Sequence, residues 1–91
     1  MINYKYIMHL YRIRKEKDDC YLTITPYGKI IELDEVAYQF FIAAKKFDNI
    51  TDLIEYLSNL YNVKKEEISV DVIEFMQQMI FAGIVEKKKY E

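Results

Sequence analysis

Glycine, proline, cysteine, histidine and tryptophan are all scarce in this 91-residue chain, which has two Gly, one Pro, one Cys, one His and no Trp. Two separate glycines cannot form a glycine-rich loop that cradles phosphate, and so little Gly and Pro excludes a linker or a collagen-like chain. No apolar run is long enough to span a membrane, and the N-terminus lacks the pattern of a signal peptide. A single cysteine cannot build an internal disulfide framework. We therefore expect a cytoplasmic protein that does not contact a membrane.

The same scarcity leaves no catalytic pair. His9 and Cys20 are the only candidates for a thiol–imidazole pair, and both fall in a predicted first hairpin whose turn includes residues 16–19 and whose register sets Cys20 opposite Lys15. In that register the two side chains are about 20 Å apart, far beyond hydrogen-bond reach. The carboxylates do not have the spacing of a calcium loop. We expect a surface position for His9, a buried or half-buried Cys20, no catalytic residue, no metal, no cofactor and no enzymatic activity.

Apolar residues make up 52% of the chain and charged residues 31%, a composition typical of one folded domain. We predict a single domain over residues 1–91, with its core at about 6–86 and a polar tail at 87–91. The 15 acidic residues exceed the 13 basic ones, for a net charge of −2. This balance disfavours nucleic-acid binding.

The first third of the chain has the pattern of β-strands. Alternating and β-branched residues predict strands at 6–14, 20–25 and 29–33. A β-turn with Pro26 in its second position and Gly28 in its fourth separates the last two strands. Ile84 and Val85 are expected to return to the sheet.

From Asp34, a predicted N-cap, the apolar period becomes helical. The first helix has a predicted buried stripe (Val36, Ala37, Phe40, Phe41, Ala44 and Phe47). The second has Thr51 as its cap, an apolar side (Leu53, Leu57, Leu60 and Tyr61) and Asn62 as its end. The third begins near Lys65, continues to Ala82 and ends at Gly83. The order β-β-β-α-α-α predicts an α+β domain with a three-stranded antiparallel sheet.

The third helix has two apolar stripes, whereas a surface helix usually buries one. One stripe suits core packing (Ile68, Val72, Phe75, Met76 and Met79). The other has Phe81 beside it and indicates either extra core or an exposed groove for a partner (Val70, Ile73, Gln77 and Ile80). In a meander, the third strand would lie at a sheet edge, where another chain can pair with it.

Several segments together resemble the PqqD-like family of peptide chaperones, the recognition elements of ribosomally made and post-translationally modified peptides. They are 27–37 (YGKIIELDEVA), 51–54 (TDLI), 69–76 (SVDVIEFM) and 82–85 (AGIV), and the resemblance covers about residues 10–86. Asp48 and Asn49 replace the Gly that many members have between the first two helices.

The resemblance implies a winged-helix-like fold that binds the leader segment of a precursor peptide and presents it to a modifying enzyme or protease. The leader would add a strand to the third strand and lie against the third helix. Carried over to this chain, the peptide-binding residues are the strand edge (Lys29, Ile30, Ile31, Glu32 and Leu33) and the groove wall (Val70, Ile73, Glu74, Gln77 and Ile80).

Several alternatives stay open at this stage. Asp71 and Glu74 are either solvated helix charges or partners for basic leader residues. The same surface could serve a structural or regulatory subunit that docks on a partner protein, and the strand edge could pair with a second copy to form a homodimer. Lasso-peptide maturation and radical-SAM modification are both plausible pathways. Binding of DNA by the third helix is disfavoured because residues 66–82 contain four acidic residues and no Lys or Arg.

Overall fold

The computed structural model describes residues 4–8 and 12–89 of the chain. Within them, a three-stranded sheet precedes three helices, and this order confirms the predicted α+β fold. None of the helices in these residues combines the length and the apolar character needed to cross a membrane. The elements are β1 (Tyr4–Met8), β2 (Ile13–Lys17), β3 (Cys20–Ile24), β4 (Ile30–Leu33), α1 (Glu35–Ala44), α2 (Ile50–Tyr61), α3 (Lys65–Phe81) and β5 (Val85–Lys89).

The strands form two antiparallel sheets, one with the order β2-β3-β4 and one that pairs β1 with β5. The prediction of one strand over 6–14 is therefore wrong, because its two ends belong to different sheets. Partial alternation along a segment indicates extended backbone but does not show which strand each part will pair with. His9 lies outside the described residues.

Residues 87–89 of the predicted polar tail (87–91) belong to β5, which pairs with β1 from Met8↔Val85 to Tyr4↔Lys89, and residues 90 and 91 lie outside the described residues. Ile84 and Val85 are buried, as expected for apolar residues that leave α3, but they lead into the second sheet rather than back to the first. The later residues of β5 are exposed. Backbone hydrogen bonds to β1 therefore hold these residues in a strand, and the hydropathy of the sequence does not indicate this strand.

The β2–β3 hairpin differs in register from the prediction. Cys20 lies opposite Lys17 rather than Lys15, because the register shifts between Lys15 and Lys17. An extra residue on one strand of a pair produces such a β-bulge. Asp19 in the turn has a φ of 61°, and its Oδ1 accepts a hydrogen bond from the Glu35 N–H at 2.7 Å. The hairpin turn is thereby tied to the start of α1.

The turn between β3 and β4 is organised by Thr25. Its Oγ1 accepts the N–H groups of Tyr27 at 3.2 Å and Lys29 at 3.1 Å, and its carbonyl accepts the Gly28 N–H at 3.0 Å. Gly28 has a φ of 83°, a conformation that glycine adopts without strain. The predicted β-turn is confirmed, but Lys29 belongs to the turn and β4 begins at Ile30.

Side-chain caps and a left-handed residue delimit the helices. Asp34 is the N-cap of α1, as predicted, and accepts a first-turn N–H at 2.8 Å. The N-cap of α2 is Asn49 rather than Thr51, because Asn49 Oδ1 accepts the Asp52 N–H at 2.8 Å and the helix begins at residue 50. Asn62 ends α2 in the left-handed conformation, with a φ of 54°, as expected.

The core lies between the helices and one face of the three-stranded sheet. All five residues of the predicted core stripe of α3 are buried, so that prediction is confirmed. Val36, Leu60 and Tyr61 were expected to be buried, yet 53%, 52% and 37% of their surfaces are exposed. They lie in the first turn of α1 and the last turn of α2. Apolar periodicity continues through these end turns, but packing against the core does not.

Candidate functional site

Strand β4 forms one edge of the three-stranded sheet. Among residues 4–8 and 12–89 it pairs with β3 alone, in the register Tyr21↔Leu33 to Ile24↔Ile30. The predicted position of this strand at a sheet edge is confirmed. An edge strand offers backbone donors and acceptors to another extended chain.

The register determines which backbone groups of β4 face outward. Antiparallel residue pairs alternate between those that exchange two hydrogen bonds and those that exchange none. The Thr25 N–H donates to the Lys29 carbonyl at 2.7 Å, so the bonded pairs are those of Ile31 with Thr23 and of Leu33 with Tyr21. The N–H and C=O groups of Ile30 and Glu32 therefore point away from β3. These groups are available to an added strand.

Side chains of β4 alternate between the two faces of the sheet. Leu33 is 4% exposed and Ile31 is half-buried, and both pack in the core. The Ile30 side chain is 69% exposed, and the Glu32 side chain is also exposed on the opposite face. Leu33 is among the residues predicted to bind the peptide; its side chain is enclosed in the core, and its backbone N–H and C=O groups face β3.

A trough extends from the end of β4 between α1 and α3. It consists of two adjoining hollows of about 210 and 280 Å³. Both are smaller than a typical small-molecule pocket, which begins at about 300 Å³. Val36, Phe40 and Asp71 line both hollows, so these residues join them. The two hollows together are called the trough, which is defined by their main lining residues (Asp34, Val36, Phe40, Glu67, Asp71, Glu74, Phe75 and Gln78).

Only one flank of α3 faces this trough. Residues 67, 71, 74 and 78 follow one another at steps of three and four, which places them on one side of the core stripe. Of the predicted groove wall, Glu74 lies here. Glu74 lines the same hollow as Asp34, the residue that follows β4.

The other predicted wall residues lie on the opposite side of the core stripe, here called the outer flank (Val70, Ile73, Gln77 and Ile80). Val70 is 57% exposed and Ile73 is 42% exposed, whereas Ile80 is half-buried against the core. None of the four lines the two hollows of the trough. Gln77, however, lines a third and more open hollow of about 310 Å³ with Phe81, and this hollow shares Glu74 and Gln78 with the trough. The second apolar stripe of α3 is therefore largely exposed, and it is directed away from α1.

Sequence reasoning did not assign Val36, Phe40 or Gln78 to the candidate site. Val36 and Phe40 were predicted as core, and Phe40 is indeed buried, but its ring also forms part of the trough floor. Gln78 continues the row of Glu67, Asp71 and Glu74 by one more helical step. That polar row is the signal that could have found it.

The trough has an apolar floor and an acidic rim. Phe40 and Phe75 form part of the floor, with their rings edge to face at a centroid distance of 5.7 Å. Four of the lining residues carry carboxylates (Asp34, Glu67, Asp71 and Glu74), and no described lining residue is a Lys or an Arg. Burial and the nearby Glu35 charge raise the pKa of the Tyr61 hydroxyl at one end of the trough. The rim favours cations and opposes anions.

Cys20 is buried, as predicted, and its thiol donates to Glu32 Oε1 at 3.1 Å. This hydrogen bond, together with desolvation, raises the pKa of the thiol. Since the thiolate is the nucleophilic form, the surroundings of Cys20 disfavour nucleophilic chemistry. Within the described part of the chain, no cluster of His, Cys, Asp and Glu has the arrangement of a metal site.

Comparison with known proteins gives one clear relation. The family model described as "Coenzyme PQQ synthesis protein D (PqqD)" matches residues 8–85, which is nearly the whole chain. No curated protein and no solved structure shows significant similarity to the chain.

Proposed function

Because this chain belongs to the PqqD family, we propose that it binds the leader segment of a ribosomally made precursor peptide and delivers it to a modifying enzyme. In this role it is a cytoplasmic recognition protein without catalytic activity of its own. The observation that carries the proposal is the outward-facing backbone of Ile30 and Glu32 on β4, the strand that leads directly to Asp34 of the trough.

The geometry suits strand addition. A peptide that pairs with β4 would lie about 4.8 Å from it and continue the two faces of the sheet. Every second peptide side chain would then be on the face of Ile31 and Leu33, which α1 covers. Backbone hydrogen bonds would supply affinity, and the trough would select among side chains.

The wall of the site is tested with two matched substitutions. Val36→Asp and Ile73→Asp each put one carboxylate in place of an exposed aliphatic side chain, in the trough and on the outer flank respectively. Both positions are on helix surfaces where 53% and 42% of the residue is exposed, so both variants should fold.

The assay is titration of a fluorescently labelled leader peptide, taken from the precursor gene next to this one. We expect wild-type binding tighter than about 100 µM, or about −5.5 kcal/mol. Val36→Asp should weaken it by at least about tenfold, because it would bury a charge against the peptide. Ile73→Asp should change it by less than about threefold. If only Ile73→Asp loses binding, the peptide contacts the outer flank of α3, as predicted from the sequence, and not the trough. A wild-type protein that does not bind the leader would refute the function.

Experiments with the same protein and labelled leader also distinguish two alternative roles of this surface. A subunit that docks on a partner protein through β4 and α3 would bind that protein but not the leader. A homodimer formed through the β4 edge would show twice the chain mass in sedimentation and would dissociate as leader is added. The identity of the neighbouring maturation enzyme decides between lasso-peptide and radical-SAM chemistry.

A further inference from the structure

The carboxylates along α3 constrain which leader segment fits the trough. Glu67, Asp71 and Glu74 follow the same edge of the apolar floor, with axial separations of about 6 and 4.5 Å at 1.5 Å per residue. Inward-facing residues of an added strand would be about 7 Å apart, since they are two positions apart. In a strand that runs along α3, successive inward side chains would therefore have nearly the same spacing as neighbouring carboxylates.

The floor adds a second requirement. Val36 and Phe40 present apolar surface to both hollows, and 53% of Val36 is exposed. An apolar side chain of the leader would cover this surface. The aliphatic stem of a Lys or Arg would cover a further part of it, while the charged group stays at the acidic rim. An acidic residue at an inward position would instead meet Asp71 and Glu74 at close range.

Resting on the proposed function, we infer that the β4-paired part of the leader carries a Lys or Arg two residues from a large apolar residue, with both side chains in the trough. The apolar residue contacts Val36 and Phe40, and the cation lies between Asp71 and Glu74. Both carboxylates are exposed, so the pairs contribute mainly to specificity and to the rate of encounter.

The test combines neutral variants on both sides of the interface. The protein variant is Asp71→Asn/Glu74→Gln, and its control, Glu55→Gln/Glu66→Gln, removes two charges from residues that do not line the trough. The probes are the labelled leader peptide from the neighbouring precursor gene and the same peptide with each Lys and Arg replaced by Gln. All titrations are made at about 50 and 500 mM salt.

At the lower salt we expect the trough variant to bind the natural leader about three- to tenfold more weakly, and the control variant to bind it as wild type does. The difference should disappear with the neutral peptide and shrink at the higher salt. A leader that binds wild type equally well with or without its cations would overturn the inference and leave leader binding intact. A natural leader that binds wild type but contains no Lys or Arg would have the same effect. Absence of any binding would refute the proposed function itself.

Discussion

Replacing Ile30 by proline provides a direct test of the open edge. Proline lacks an N–H, and the register assigns the N–H of residue 30 to the side of β4 away from β3. The variant should therefore keep all β3–β4 hydrogen bonds, since edge strands tolerate proline where the N–H is directed to solvent. A bound leader, however, would have one backbone carbonyl left unpaired, because the N–H of residue 30 that it would accept is gone.

The size of the effect follows from the hydrogen bond and not from the side chain. A partner group left unsatisfied costs about 1–3 kcal/mol, which corresponds to roughly 5- to 150-fold in Kd. Ile30→Ala is the matched control because it keeps the N–H and removes a side chain that is 69% exposed. Any loss in the alanine variant measures the side chain, and the further loss in the proline variant measures the backbone donor.

The assay is fluorescence anisotropy with the labelled leader, accompanied by urea unfolding of each variant. The free energy of unfolding of Ile30→Pro should be within about 1 kcal/mol of that of Ile30→Ala. Ile31→Pro should be strongly destabilised, because the Ile31 N–H donates a hydrogen bond to Thr23 and proline would remove it. If Ile30→Pro binds the leader as tightly as Ile30→Ala, the peptide does not pair with β4. If Ile30→Pro unfolds, the assignment of its N–H to the open edge is wrong.

Two further predictions concern the structure that supports the edge. Thr25→Val should lower the free energy of unfolding by about 1–3 kcal/mol, because the buried Thr25 hydroxyl accepts two backbone N–H groups in the turn before β4; urea unfolding with an unchanged midpoint would contradict it. The hydrogen bond from the Tyr21 hydroxyl to Glu35 at 2.9 Å, with desolvation, raises the pKa of Tyr21 to about 12. Since the raised pKa belongs to the folded state, its stabilising effect should be complete below about pH 10 and be lost as the pH rises toward 12. Unfolding curves of wild type and Tyr21→Phe should therefore converge over that interval, and a constant difference would refute the assignment.

The helices were predictable because their signals are local. Asp34 caps α1, Asn62 ends α2, and the core stripe of α3 follows the 3.6-residue period throughout. The error at α2, where Asn49 rather than Thr51 is the cap, moved the helix start by only a few residues, because both residue types can accept the same hydrogen bond. Each of these features depends on residues within one or two turns.

The pairing of β1 with β5 was not predictable in the same way. Tyr4 and Lys89 are at opposite ends of the chain, and Lys87, Lys88 and Lys89 have the hydropathy of a solvated tail. Their strand structure comes from backbone hydrogen bonds to a distant partner. Such pairing carries no apolar signal when the side chains stay exposed.

The candidate site was predicted in part for a related reason. The strand edge follows from the order of strands, and Glu74, one of the predicted wall residues, lines the trough. The sequence shows two flanks beside the core stripe, however, and only packing against α1 decides which one borders the trough. Apolar character favoured Ile73 and its neighbours, whereas the structure places Asp71 and Gln78 beside the trough.

The charge on α3 connects the fold to the kind of partner it can accept. In a winged-helix-like domain the third helix could enter a DNA groove, where cations must contact phosphates. Here the flank that borders the trough presents Glu67, Asp71 and Glu74, which would repel a phosphate backbone. The same carboxylates would not oppose an extended peptide, because its backbone is neutral and, in the proposed complex, would pair with Ile30 and Glu32. The acidic rim therefore disfavours nucleic acid at this helix and agrees with the proposed partner, an extended peptide with basic side chains on its inward face.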